Sequence, residues 1–135
     1  MPVKAVQKRS SRSRLTPMRV SSHYRDYVID QLSALPGLRA QAMFGGVGLY
    51  AGDVFFGILA ADVLYFKVSD TTRLAYESAG SKPFKPYADR AMTMGYYEVP
   101  AEVLETPADA VQWARQAVGV ASKAASIRAR RTQAR

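Results

Sequence analysis

Between Leu38 and Val68 two three-residue turn signals, Ala51-Gly52-Asp53 and Ala60-Ala61-Asp62, interrupt a run of β-branched and aromatic residues punctuated by glycine. A connection that short joins antiparallel strands only, because a parallel pair needs a crossover of about a dozen residues. The segment therefore reads as two or three hairpin-connected strands, and the rest of the chain must pack around them. The last of them, VLYFKVS, alternates, with Leu64, Phe66 and Val68 on one face and Val63, Tyr65 and Lys67 on the other. Phenylalanines and tyrosines spaced in this way beside Val and Leu are expected in the core rather than as a base-stacking platform.

Helical periods flank the strands. Ser21 or Ser22 offers an N-cap, and Tyr24, Tyr27, Val28, Leu32 and Leu35 share one face of a helix of about a dozen residues that Pro36-Gly37 ends. After the strands, Asp70 is expected to cap a short helix anchored by Leu74 and Tyr76 and closed by Gly80. Ser81 to Asp89 reads as a polar loop leading to AMTMGYYEVP, a further strand. Thr106 at the N-cap, Pro107 and Asp109 open a final helix. In it Ala110, Trp113, Ala114, Ala117, Val118 and Ala121 form a narrow face suited to close packing on a sheet. No internal repeat is visible.

The totals fit one domain in 135 residues, with 48% apolar and 22% charged residues, as in an ordinary globular protein. With no cysteine, disulfides, thiolate metal sites and a cysteine nucleophile are excluded, which suits a cytoplasmic location. The longest apolar run, Val54 to Ala61, is far shorter than the roughly 20 residues of a membrane span. The N-terminus lacks the apolar stretch of a secretory signal. Its Arg- and Ser-rich, acid-free composition also suits an organelle transit peptide, beside the simpler reading of a flexible arm.

The formal net charge of +8 is unevenly spread. Residues 1–20 carry six cations and no acid; residues 119–135 carry five and no acid; the remainder holds eight cations against all eleven acids, a net −3. Three segments follow: a basic arm over 1–20, a mildly acidic folded domain over 21–120 and a basic tail over 121–135. Such tails are too poor in apolar residues to offset the entropy of ordering and are expected to be mobile until a polyanion binds. The residues expected to contact nucleic-acid phosphates are Lys8, Arg9, Arg12, Arg14, Arg128, Arg130 and Arg131. The alternative is that the tails are passive and only solubilise the protein. An anionic membrane is not expected as a partner, since neither arm has the large apolar residues an interfacial helix buries.

Catalytic chemistry has little to draw on. The one histidine, His23, falls at a helix start, where a surface role is expected; no spacing suggests a metal; and Ser81 beside Lys82 makes no dyad, since adjacent side chains point apart. In FGGVG the three glycines lack the Lys-Ser/Thr of a phosphate loop and precede a strand, where a dinucleotide site needs a helix. They read as a bent strand or bulge, where glycine allows positive φ or close backbone approach. No catalytic residue, cofactor or metal is expected.

Three segments in order, MFGGVGLYAGDVFFGILAADVLYFKVSD, then AGSKPFKPYADRAMTMGYYEVPAEVLE, then the WARQAV helix, resemble the N-terminal domain of the TfoX/Sxy competence regulators over about residues 22–120. The resemblance implies an α+β fold of helix, three antiparallel strands, helix, two strands and helix, similar to a secretion-chaperone-like two-layer architecture. It also implies a non-enzymatic regulator, in a family whose longer members promote competence genes by assisting the cyclic-AMP receptor protein. In this sequence basic tails are expected where the longer members continue into a second domain. The expected function is thus a regulatory or adaptor protein in transcription, touching nucleic acid through its tails and a transcription protein through its sheet or helix surface. The alternative is a protein-interaction module, such as a homodimer.

Overall fold

The computed structural model describes residues 18–85 and 95–133. In chain order the elements are α1 (Ser22–Gln31), β1 (Leu38–Met43), β2 (Gly46–Ala51), β3 (Val54–Ala60), β4 (Val63–Lys67), α2 (Arg73–Ser78), β5 (Tyr96–Glu98), α3 (Ala101–Leu104) and α4 (Pro107–Gln133). The strands form one sheet in sequence order, each antiparallel to its neighbours. The fold is α+β, as expected. Among the described residues four strands precede α2 and one follows it, where three and two were expected; residues 86–94, between α2 and β5, lie outside the described residues. β1 is a faint signal because LRAQAM is an edge strand with no β-branched or aromatic residue, its alternation carried by Leu38 and two alanines that are at most half-buried.

Turn chemistry builds the meander. Phe44 and Gly45 (φ 48° and 86°) close the β1–β2 hairpin, and Ala61 and Asp62 (φ 53° and 59°) close β3–β4. Paired left-handed residues match the twist of the flanking strands. A Cβ on Gly46 would come within 2.6 Å of the Leu59 carbonyl oxygen, so the glycine there lets two backbones meet. The positive φ and close approach expected of FGGVG are both present. The bulge itself lies across the ladder, on β3: Leu49 pairs with Gly57 and Tyr50 with Phe55, which leaves Phe56 as the extra residue. Phe56 consequently points to the same side as Leu59 and is fully buried, while Phe55 points to the other side.

The two faces of the sheet have separate clusters. Leu49, Phe56, Leu59, Leu64 and Phe66 pack with Val28 of α1 and Leu32 at its C-cap, Tyr76 of α2, Val103 of α3 and Ala110, Ala114 and Ala117 of α4. All the helices contribute to this cluster. α4 lies against β3 and β4 along its alanine face, as its spacing predicted. The second, smaller cluster holds Ile58, Ala60, Phe84 and Tyr96, edged by Met18, Phe55 and Tyr65, and no described helix contributes to it. Strand aromatics expected in one core are therefore divided between two faces.

Four local readings are settled. Ser21 caps α1, its Oγ accepting from the Tyr24 amide at 3.2 Å. At α2 the N-cap is Thr72 in place of Asp70: Ser69 and Thr72 bond reciprocally through side chain and amide at 2.9 and 3.1 Å, while Asp70 pairs with Arg73 at 3.0 Å. Tyr76 anchors that helix, but Leu74 is 58% exposed, because a helix of six residues presents too little face to bury both. Gly80 (φ 81°) ends it as expected, with the Ser81 amide donating to the Tyr76 carbonyl.

Candidate nucleic-acid interface

Past Gly119, α4 contains no glycine, proline or acid and is built largely from Ala, Lys, Arg and Gln, strong helix formers. It runs to Gln133, so the part of the 121–135 segment that is described is helical. Arg130 and Arg131 stand in its last turn, where cations complement the negative end of the helix dipole. Arg128, Arg130 and Arg131 are all exposed. The other expected contacts, Lys8, Arg9, Arg12 and Arg14, lie outside the described residues.

This basic end of α4 passes the end of the sheet where β3 begins and β4 stops. Asp53, Phe55, Lys67 and Tyr96 meet Ser122 and Arg128 there around a cleft of about 380 Å³. Partial burial, and then the nearby Arg128 guanidinium, push the Lys67 amine below its usual range. Its Nζ stands 5.1 Å from the centre of the Tyr96 ring. Burial, and then the neighbouring Tyr50 phenol, push the Tyr96 hydroxyl up to about 12, against the opposing pull of Arg128.

From the cleft an aromatic row crosses the face of the second cluster. Tyr96 lies 5.8 Å from Phe55, and Phe55 lies 5.2 Å from Tyr50. The Arg39 guanidinium sits 4.5 Å over the Tyr50 ring, held by the Gly52 carbonyl and the Gln41 side chain, each at 3.2 Å. The row is thus bounded by Lys67 at one end and Arg39 at the other. Sequence reasoning missed these residues as a group. The available signal was Lys67 on the outward face of VLYFKVS; the bulge that turns Phe55 outward left none.

The opposite end of β4 is acidic. Asp62, Glu98 and Glu105 line a cleft of about 240 Å³ with Tyr24 and Tyr27. Burial, and then Asp62, push the Tyr24 hydroxyl up to about 12. Asp62 also accepts from the Ser21 amide at 2.8 Å, fixing the start of α1 beside the β3–β4 turn. His23 is exposed. Among the described residues no three His, Asp or Glu side chains gather as a metal site would need, and no helix is long and apolar enough to cross a membrane.

The family model of the TfoX N-terminal domain matches residues 30–121, from the end of α1 to the first residue of the basic stretch of α4. No curated protein matches the chain.

Proposed function

Because this chain belongs to the TfoX N-terminal domain family, we propose that it is a non-enzymatic, cytoplasmic regulatory adaptor in transcription that holds nucleic acid through its basic extensions. The observation that carries the reading is the C-terminal half of α4. It places Arg128, Arg130 and Arg131, all exposed, on one helix, on a domain whose remaining charge is net acidic. Cations exchanged for condensed counterions supply sequence-independent affinity for phosphates. With Lys8, Arg9, Arg12 and Arg14 of the N-terminal arm they make a phosphate-binding set of seven. The acidic end of the domain stays clear of the polyanion and is left for a transcription-protein partner.

Substituting Arg128, Arg130 and Arg131 together by Gln tests this. Gln keeps helix propensity and removes the charge. Affinity of the whole chain for random duplex DNA is expected to fall at least tenfold at low salt. Unchanged affinity contradicts the reading.

A protein-interaction module with passive tails is favoured by one separate observation. Phe44, 84% exposed at the tip of the β1–β2 hairpin, offers a large apolar contact that the domain itself does not use. If that reading holds, the whole chain is a dimer by light scattering and Phe44→Asn makes it a monomer, with nucleic acid bound by neither.

A further inference from the structure

The two edges of the sheet are finished differently. Beyond β5 the chain itself supplies a neighbour: the Phe84 amide donates to the Tyr96 carbonyl at 2.8 Å and the Glu98 amide to the Lys82 carbonyl at 3.0 Å. β1 is not covered in this way. The Gly37 carbonyl accepts from the Gly52 amide at 2.9 Å, and Met43 faces Gly46 across the two-residue turn, so Gly37, Arg39, Gln41 and Met43 direct their backbone groups to β2. Leu38, Ala40 and Ala42 turn theirs outward. The Leu38 amide donates to the Leu35 carbonyl at 3.3 Å, but among the described residues the outward groups of Ala40 and Ala42 have no hydrogen-bond partner.

Proteins close such an edge with lysine, proline, a bulge or an inward charge. β1 has neither lysine nor proline, and its register with β2 is unbroken. Its one charge, the Arg39 guanidinium, is held over Tyr50 and by the Gly52 carbonyl, toward β2. The edge is therefore fit to receive a further strand, and its own sequence is a suitable one. Antiparallel pairing about a two-fold axis at Ala40 sets Ala40 against Ala40, Leu38 against Ala42 and Arg39 against Gln41. The outward amides of Ala40 and Ala42 then meet carbonyls, and the Arg39 donors face the acceptor type they already use at 3.2 Å within one chain. The same register brings Phe44 of each copy alongside Pro36 of the other, both exposed in the single chain. Moving the axis to Arg39 would oppose like charges, and moving it to Gln41 would part Phe44 from Pro36. We propose that two copies of this chain pair antiparallel through β1, joining their five-stranded sheets into one. Arg128, Arg130 and Arg131 stand on α4, which lies against β3 and β4, so the proposal rests on neither reading of the basic extensions.

A strand pair of this length buries less than a standard interface, so a dissociation constant on the order of 10 µM is expected. Sedimentation velocity of the whole chain, treated with nuclease to remove bound nucleic acid, is expected to show a monomer–dimer equilibrium around that concentration. Gln41→Lys opposes Arg39 of the second copy with a like charge at two symmetric places and is expected to weaken the dimer about fivefold. Gln41→Glu opposes it with an unlike charge and is expected to tighten the dimer about fivefold. Gln41 is exposed, so both variants are expected to keep the circular dichroism spectrum of the parent. Ala40→Pro removes an outward amide at an edge position where proline is tolerated, and is expected to weaken the dimer about tenfold or more. Hydrogen exchange needs no variant: the Ala40 and Ala42 amides are expected to slow as concentration rises, while those of Arg39, Gln41 and Met43 change little. A chain that stays monomeric to millimolar concentration, with Ala40 and Ala42 exchanging alike throughout, overturns the proposal and leaves the edge to an extended segment of another protein. A dimer indifferent to all three substitutions, with exchange at these two amides unchanged, overturns it in favour of a contact elsewhere.

Discussion

Phe44 holds a backbone conformation (φ 48°) that costs an L-residue with a bulky side chain about 1 kcal/mol, and its ring, 84% exposed, recovers little of that by burial. Phe44→Asn, which turns the loop into the Asn-Gly pair favoured in such hairpins, is expected to stabilise the domain by about 0.5–1 kcal/mol, read as a higher urea midpoint at unchanged slope. A lower midpoint would mean that the ring packs on something. Two residues further on the sign reverses. Gly46→Ala places a Cβ 2.6 Å from the Leu59 carbonyl oxygen, a contact that real Cβ atoms do not make, and since that atom is backbone the β2–β3 ladder must shift. A loss of about 2 kcal/mol or more is expected by the same titration. The glycines of FGGVG were legible as a backbone requirement because a missing side chain is written in the sequence. Which glycine served the turn and which the close approach was not, since that depends on the strand packed alongside.

At the scale of elements, α4 shows how far a periodic pattern reaches. Its alanine face was readable from spacing alone, and Ala110, Ala114 and Ala117 are buried to within 1% of completely. A Leu at Ala114 must fit between α4 and the sheet, so Ala114→Leu is expected to cost about 1–3 kcal/mol by overpacking. The equivalent change at exposed Arg115 should be neutral within about 0.5 kcal/mol, both measured by urea denaturation. The reading of 121–135 as a tail followed its lack of large apolar residues. Residues 121–133 are helical because Ala, Lys, Arg and Gln favour helix and α4 is already nucleated by the packed turns before them. The aromatic row was hidden for a different reason. The β3 bulge breaks the period of two, so alternation counted back from Leu59 puts Phe55 in the core and Phe56 outside, the reverse of the faces they occupy.

For the whole molecule, the phenols of Tyr24 and Tyr96 are each pushed up to about 12, and burial raises that of Tyr76 as well. Each is more readily ionised in the unfolded chain, near 10, than in the folded one. Their contribution to stability is therefore complete below about pH 10 and is lost as the pH rises toward about 12. The urea midpoint is expected to be level up to about pH 9.5 and to fall steeply above it, with native tyrosinate absorbance lagging behind that of the unfolded chain. Coincident titrations of folded and unfolded protein would contradict this burial. Charge is sorted on the same scale, with Asp62, Glu98 and Glu105 gathered at one end of β4 and Lys67 and Arg128 at the other. The central claim, that the basic extensions bind phosphate, is tested most directly by the salt dependence of duplex binding for the whole chain and for its Arg128→Gln, Arg130→Gln, Arg131→Gln form. If about six of the seven cations engage, log K falls against log salt with a slope of roughly −5, and the triple substitution reduces its magnitude by about 3. A slope near zero, or one that the substitutions leave unchanged, would contradict the account.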